Sequence, residues 1–373
     1  MNKKTVGIVT LIDYTNYGNR LQNYAMTRLL ESENIQVING IKVFLKEDWE
    51  KSSRNKIKYF IKRCVPFAKF KKNVTVEHIP KSEGLRERRA KFLKFTSEYT
   101  NMVDTVVARN KHHALKVLDK YGIEYYVAGS DQVWNPYYAG KDYEFLTFAP
   151  KEKRLSFAAS MGVDDILESE KERYKENIMD MHYISVREQR AADIIRKLTG
   201  RQADVTLDPT LLISKMEWEQ VVRKPKINLE EKYICTYFLG ETPKAVEQFA
   251  KEKQLKIYAL NSENDLELYT IDPAEFLYVI KNAAYVLTDS FHAVAFSIKF
   301  NKEFYVFRRK EVGCANMFSR IETITKRFEL ENRIQDSEKI IEQDKITNWD
   351  KIEEELKKER KSSVRKLCKM MEN

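Results

Sequence analysis

The stretch Ala284–Ala293, AYVLTDSFHA, decides what kind of fold this chain adopts. Tyr285, Val286 and Leu287 form a short apolar run with strand chemistry, which Thr288 and Asp289 break. Ser290 to Phe300 then has the length and spacing of a helix, with Phe291, Ala295 and Ile298 on one face and Asp289 or Ser290 as the natural N-cap. A polar turn between a strand's carboxyl end and a helix N-terminus is where open α/β sheets bind ligands, because free N–H groups and the helix dipole attract anions there. His292 falls in that first turn. A lone histidine at this place is either a packed structural residue or an acid/base group. The positive helix end disfavours imidazolium, so an acid role requires a bound anion beside it.

The same strand-turn-helix unit recurs in both directions from this stretch. Upstream lie the strand Tyr233–Leu239 with Gly240, a helix over Pro243–Glu252, the strand Lys256–Leu260 and a helix over Pro273–Asn282. Downstream comes the strand Phe304–Phe307, with Arg308 and Arg309 at its end. In the first half, Val6–Ile12 reads as a strand and Arg20–Glu31 as a helix, joined by DYTNYGN, in which Asn16, Asn19 and Gln22 place neutral amides around a helix head and Gly18 tolerates positive φ. GxGxxG is absent, so this loop, with Tyr17 in it, suits a sugar or a carboxylate better than a pyrophosphate. A plain turn is the competing reading.

Ile123–Ala128 is another strand, running into Gly129, Ser130, Asp131, Gln132, Val133, Trp134, Asn135 and Pro136, a denser mix of small, polar and aromatic residues than a structural turn requires. Leu155–Ala159 follows, then Tyr183–Val186 with Arg187 at its end and a helix over Glu188–Leu198. Arg187 can grip a carboxylate or phosphate bidentately, or form an ion pair with Glu188 or Asp208. Val205–Leu207 closes this half, and Asp208, Pro209 and Thr210 read as a turn into a linker. Repeated alternation in both halves predicts two doubly wound α/β domains facing a shared cleft, residues 1–210 and 211–340. A helical tail, 341–373, begins at a capping-box match, Thr347 with Asp350, and carries an apolar stripe of Ile352, Leu356, Val364, Leu367 and Met371.

Composition narrows the function classes. At 373 residues the chain exceeds the usual single-core limit, and 43% hydrophobic content excludes a disordered chain. No run approaches the roughly 18 to 20 apolar residues of a membrane span, and the apolar start after two lysines is ended by Asp13 too early for a signal peptide, so a cytoplasmic protein is expected. Cys64, Cys235, Cys314 and Cys368 are widely separated, with no CxxC and no Cys/His cluster that could cage zinc. The formal charge is +10, and Lys51–Lys72, inside a basic helical insertion at about 44–115, carries nine basic residues and no acidic one. With Tyr59, Phe60, Phe67 and Phe70 interleaved, this segment can lie on an anionic membrane surface, or it can be a solvated insertion.

Taken together, NYGNRLQNYA (16–25), AGSDQVWNP (128–136), SFAASMG (156–162), ISVREQRAADII (184–195), VTLDPTLL (205–212) and TDSFHAVAFSI (288–298) resemble the recurring blocks of the polysaccharide pyruvyl transferase family, in the same order. The resemblance implies two Rossmann-like lobes of the glycosyltransferase-B kind. It also implies a reaction that moves pyruvate from phosphoenolpyruvate onto two hydroxyls of a sugar as a cyclic ketal, releasing phosphate, with no redox cofactor and no obligatory metal. Within it, His292 and Arg187 match the family's functional histidine and arginine. Ser290, Asp289, Arg308 and Arg309 are then donor-side candidates, and Asn16, Tyr17, Gly18, Asn19, Gln22, Ser130, Asp131, Gln132, Trp134 and Asn135 candidates for lining the acceptor side. Ser290 and Phe291 stand where many relatives carry Arg and Leu, which leaves the contact made there open.

The expected partners are phosphoenolpyruvate and a saccharide acceptor, lipid-linked or nucleotide-linked, with peripheral contact to the inner face of an anionic membrane and no nucleic acid. A glycosyltransferase of the same fold is one rival, distinguished by releasing a nucleotide instead of phosphate. A non-catalytic membrane- or nucleic-acid-binding protein is the other. It predicts binding that weakens steeply with salt and does not depend on His292.

Overall fold

The computed structural model describes residues 3–45, 82–103, 105–309, 317–336 and 338–372. The basic stretch Lys51–Lys72 lies outside the described residues. Among those described, no helix is long and apolar enough to cross a membrane.

The first half builds a six-stranded sheet from β1 (Thr5–Val9), β2 (Gln36–Ile38), β5 (Tyr125–Asp131), β6 (Arg154–Ala159), β7 (Ser185–Val186) and β8 (Asp204–Val205), in the order β2-β1-β5-β6-β7-β8. Every pairing is parallel. A separate parallel pair, β3 (Val43–Leu45) with β4 (Val106–Ala108), sits in the span expected to be helical throughout. The second half builds a five-stranded parallel sheet from β9 (Tyr233–Tyr237), β10 (Lys256–Ala259), β11 (Tyr285–Thr288), β12 (Glu303–Phe307) and β13 (Ile334–Gln335), in the order β10-β9-β11-β12-β13. The fold is thus α/β with two Rossmann-like sheets, the glycosyltransferase-B-like arrangement.

In each sheet the chain reverses direction of travel at one place. It does so between β1 and β5 in the first and between β9 and β11 in the second. At such a switch point, flanking loops leave in opposite directions and a crevice opens at the strands' carboxyl ends. Those four ends carry Thr10, Asp131, Leu239 and Ser290.

Seven helices matter below: α1 (Tyr17–Glu31), α2 (Glu83–Tyr99), α3 (Gln189–Thr199), α4 (Pro273–Asn282), α5 (Phe291–Lys299), α6 (Ser319–Arg327) and α7 (Trp349–Met370). The helix α1 starts three residues before the expected Arg20, because the Asn16 side chain caps it by accepting from the Asn19 N–H at 3.2 Å. Conversely β1 stops at Val9, so Thr10, Leu11 and Ile12, expected in the strand, line the crevice instead. The expected capping box at Thr347 and Asp350 does not form. Asn348 occupies the N-cap of α7 and makes no side-chain capping bond.

One hydrophobic cluster runs through both halves, joining Val6, Leu21 and Phe157 to Tyr237, Phe276 and Val286. At its centre the buried Tyr17 ring stacks on Phe276 of α4 at 4.2 Å, and the Tyr17 hydroxyl donates to the Ile271 carbonyl at 3.1 Å. Arg88 of α2 seals the same seam. Its guanidinium donates to the Thr15 carbonyl (3.0 and 2.8 Å) from one half and to the Leu260 (3.2 Å) and Tyr269 (2.7 Å) carbonyls from the other, over the Tyr17 ring at 4.3 Å. The helix α7 ties both halves from outside. Arg360 bonds Glu217 and Ser32, Lys366 bonds Asp204, and Arg327 of α6 bonds Glu355 and Glu359.

Arg88→Met keeps apolar bulk but takes this donor from two buried carbonyls and one half-buried one, and lost bonds of this kind cost about 1.5–3 kcal/mol each where a charge is involved. Denaturant unfolding should show a loss of about 3 kcal/mol or more. A loss below about 1 kcal/mol would mean that the seam is held by packing alone.

Candidate active site

The two switch points face each other across a cleft of about 450 Å³. From the first half it is lined by Thr10 to Asp13, Asn16, Asn19, Lys42, Asp131, Gln132, Tyr138, Tyr143 and Glu144. From the second it is lined by Leu239, Ser290, Phe291, His292, Arg309, Met317 and Arg320.

His292 sits at the cleft floor, 7% exposed, in the first turn of α5. Ser290 is the N-cap of that helix, but its side chain makes no capping bond. Its own N–H instead donates to the Thr288 hydroxyl at 3.0 Å. The imidazole packs against the first turn of α1 so closely that a Cβ on Gly18 would fall 2.0 Å from His292 Nδ1. Glycine at position 18 is therefore a requirement of close approach, while its φ is ordinary. The other ring nitrogen, Nε2, is buried with no hydrogen-bond partner among the described residues, 3.8 Å from Asp208 Oδ2.

Asp208 is the hub beneath the cleft. Its fully buried carboxylate accepts from Arg187 Nη1 at 2.5 Å, the Ser130 hydroxyl at 2.7 Å, and the Thr210 N–H (3.0 Å) and hydroxyl (2.7 Å). Burial opposes its charge, but the Arg187 guanidinium and then His292 outweigh that, so the carboxyl titrates at about 2. Asp131 stands on the other side of Arg187, 3.7 Å from Nη2, and accepts from Asn19 Nδ2 at 2.9 Å. As the last residue of β5 its backbone takes a left-handed φ of 70°. Burial pulls the His292 pKa from its ordinary 6.5 to about 4. Asp208 and Asp131 resist that shift, while Arg187 and Arg320 reinforce it. The free site thus holds a neutral imidazole.

The structure sorts the sequence candidates. His292, Ser290, Arg309, Asn16, Asn19, Asp131 and Gln132 line the cleft. Arg187 does not: it is buried against Asp208, and its guanidinium lies over the Phe291 ring at 4.4 Å, which resolves its two readings toward the ion pair. Asp289 faces inward, accepting from the Leu239 (2.7 Å) and Gly240 (2.8 Å) N–H groups and from Arg309 Nε (2.9 Å). It therefore positions Arg309. Arg308 projects outward to Glu322 at 2.7 Å and is not among the residues that line the cleft. Tyr17 is consumed by the seam, and Trp134 stacks on Phe145 in the core at 5.1 Å. Gln22 braces Thr10, Ser130 braces Asp208, and Asn135 lies buried beside Gln132. Asp208, Arg320, Lys42, Tyr138, Tyr143 and Glu144 were not singled out as site residues. Asp208 carried a signal, an aspartate before proline at a strand end, but that pattern also describes an ordinary helix cap, which it makes too. Among the described residues no group of three His, Cys, Asp or Glu side chains is placed to hold a metal ion.

Two facing Rossmann-like sheets, with an imidazole and guanidinium groups near opposed switch points, make a protein of glycosyltransferase-B-like build. A family model described as polysaccharide pyruvyl transferase matches residues 16–311, and the chain belongs to that family. It is accordingly a transferase of polysaccharide pyruvylation. Solved structures similar to this chain include a protein assigned as a UDP-N-acetylglucosamine 2-epimerase from Listeria monocytogenes (10% identity, TM-score 0.47, covering 89% of this chain and 90% of that one). Another is the UDP-GlcNAc 2-epimerase from Neisseria meningitidis bound to UDP-GlcNAc (10%, 0.44, 98% and 100%). A third is the glycosyltransferase SnogD from Streptomyces nogalater (9%, 0.41, 99% and 100%). No curated protein matches the sequence.

A histidine whose pKa is lowered on folding leaves the unfolded chain binding more protons, so stability rises with pH between the two pKa values. The His292 contribution is complete above its ordinary 6.5 and lost as pH drops toward about 4. At about 1.4 kcal/mol per unit the loss reaches about 3 kcal/mol. Denaturant unfolding of wild type and His292→Asn across this window should show a shallower acid decline in the variant. Parallel curves would rule out a buried neutral histidine.

Proposed function

We propose that this chain transfers the pyruvyl group of phosphoenolpyruvate to two hydroxyls of a sugar in a cell-surface polysaccharide, or in its lipid-linked or nucleotide-linked precursor. The product is a cyclic ketal and the leaving group is phosphate. The observation that carries this reading is the buried imidazole of His292, with an unpartnered Nε2, placed between two opposed switch points and flanked by guanidinium groups.

The chemistry needs one proton moved to carbon. The first sugar hydroxyl adds to C2 of the donor while its methylene carbon gains a proton. The C2–O bond to phosphate then breaks, and the second hydroxyl closes the ring as its own proton passes to the departing phosphate. A neutral imidazole can accept the first hydroxyl's proton. Once a donor phosphate lies beside it, the imidazolium becomes accessible and can deliver that proton to the methylene. Asp208 favours the charged ring from 3.8 Å, and Arg187 keeps Asp208 ionised. The donor's negative groups are attracted by Arg309, held by Asp289, and by the first turn of α5 at Ser290. Asn16, Asn19, Asp131 and Gln132 offer polar partners to the acceptor. Work at the inner membrane face, in capsule or exopolysaccharide assembly, would bring a lipid-linked acceptor to the cleft.

Phosphate release from phosphoenolpyruvate should depend on a saccharide acceptor, with no nucleotide released from a nucleotide sugar. Nucleotide release would instead identify a glycosyltransferase.

His292→Asn keeps much of the shape but cannot titrate, so turnover should fall roughly a hundred- to ten-thousand-fold with donor binding retained. Turnover within about threefold of wild type, below about 1 kcal/mol, would make the histidine structural.

A further inference from the structure

Arg320, in the first turn of α6, is 8% exposed and opens on the cleft. Among the described residues its bonds go to neutral groups. Nε donates to the Met317 carbonyl at 3.1 Å. With the Gln132 amide oriented to suit its neighbours, Nη1 and Nη2 donate to the Gln132 oxygen at 2.5 and 2.7 Å. A guanidinium has five N–H groups. One on each terminal nitrogen is therefore left over by these partners. Among the described residues no carboxylate lies within 4 Å of it, whereas Arg187 and Arg333 each have one. Arg88 and Arg20 also lack one, but both are turned into the protein and satisfied in part by carbonyls or amides.

The surroundings make this charge costly to keep. Burial, and then the charge of Arg187, lower the Arg320 pKa to about 10. Both guanidinium groups lie over the Phe291 ring, Arg187 at 4.4 Å and Arg320 at 5.8 Å. A buried cation facing a second cation, without its own counterion, is destabilising unless an anion arrives. The same cleft is also lined by Arg309 and by the uncapped first turn of α5. Two guanidinium groups and a helix N-terminus suit a dianion better than a single negative charge.

We propose that Arg320 is the anchor of the donor's phosphate group, with Gln132 holding its fork flat against Phe291 and its two remaining N–H groups turned to the phosphate oxygens. This rests on the pyruvyl-transfer reading for the identity of the donor. The phosphate seat itself does not.

The test compares wild type, Arg320→Met and Arg320→Lys for binding of inorganic phosphate and of phosphoenolpyruvate by calorimetry, together with the melting temperature of each ligand-free protein. Wild type should bind both. Arg320→Met should lose affinity for both by roughly tenfold to a hundredfold, while its ligand-free melting temperature stays level or rises. Arg320→Lys, which keeps the charge and loses the planar fork, should weaken phosphate binding by about tenfold, and it carries the test if the methionine variant does not fold. If Arg320→Met melts lower without ligand and binds phosphate within about threefold of wild type, Arg320 is a structural residue and the proposal fails. If phosphate binding follows Arg320 but phosphoenolpyruvate is neither bound nor consumed, the seat stands and the pyruvyl-transfer reading falls. If phosphoenolpyruvate is consumed with a KM that Arg320→Met leaves unchanged, the reading stands and the seat falls.

Discussion

The site depends on one buried carboxylate. Asp208 has no solvent and sits where the ends of β5, β7 and β8 meet the first turn of α5. An ionised carboxylate in such a place costs several kcal/mol unless its lone pairs are met and its charge is balanced. Ser130, Thr210 and Arg187 meet that demand, and each is thereby fixed in position. Arg187, once paired, is pressed against Phe291, and Phe291 fixes the angle at which α5 presents His292.

Topology explains why those groups can meet. Each parallel sheet has one crevice, where the order of its strands reverses, and the two crevices are turned toward each other. The helices that follow β1 and β11, α1 and α5, then meet head to head, which is why only glycine fits at position 18 beside the imidazole. The contact behind them is a shared hydrophobic core, with Arg88 bonding carbonyls of both halves. A packed seam of this kind makes the cleft floor rigid, so His292 and the neighbouring cations hold their spacing.

Electrostatically the cleft favours an anion. His292 is neutral when free because burial dominates its pKa, and Asp131, Asp208 and Asp289 are committed to arginines or amides. An entering dianion would offset the arginine charges and raise the imidazole's affinity for a proton in the same step. On the proposed function, binding and proton transfer would be coupled through the field of the site, with no movement of the backbone required.

The sequence by itself determined the α/β class, nearly every strand of the two main sheets, the helix Pro273–Asn282 and the placing of His292 in a helix first turn. Those features follow from local periodicity and turn chemistry, which act over a few residues. Block order along the chain also gave the family, because it registers many positions at once. Tertiary structure alone decided which polar residues face the cleft. Asp289 and Arg309 lie on neighbouring strand ends, yet one points at backbone N–H groups and the other into the cleft. Tyr17 looks like a ligand-binding aromatic in its loop, but it starts a helix and is spent on the seam. Asp208 and Arg320 became legible only when strands far apart in sequence were brought side by side, since a buried charge takes its meaning from the partner that stands, or does not stand, within about 4 Å of it.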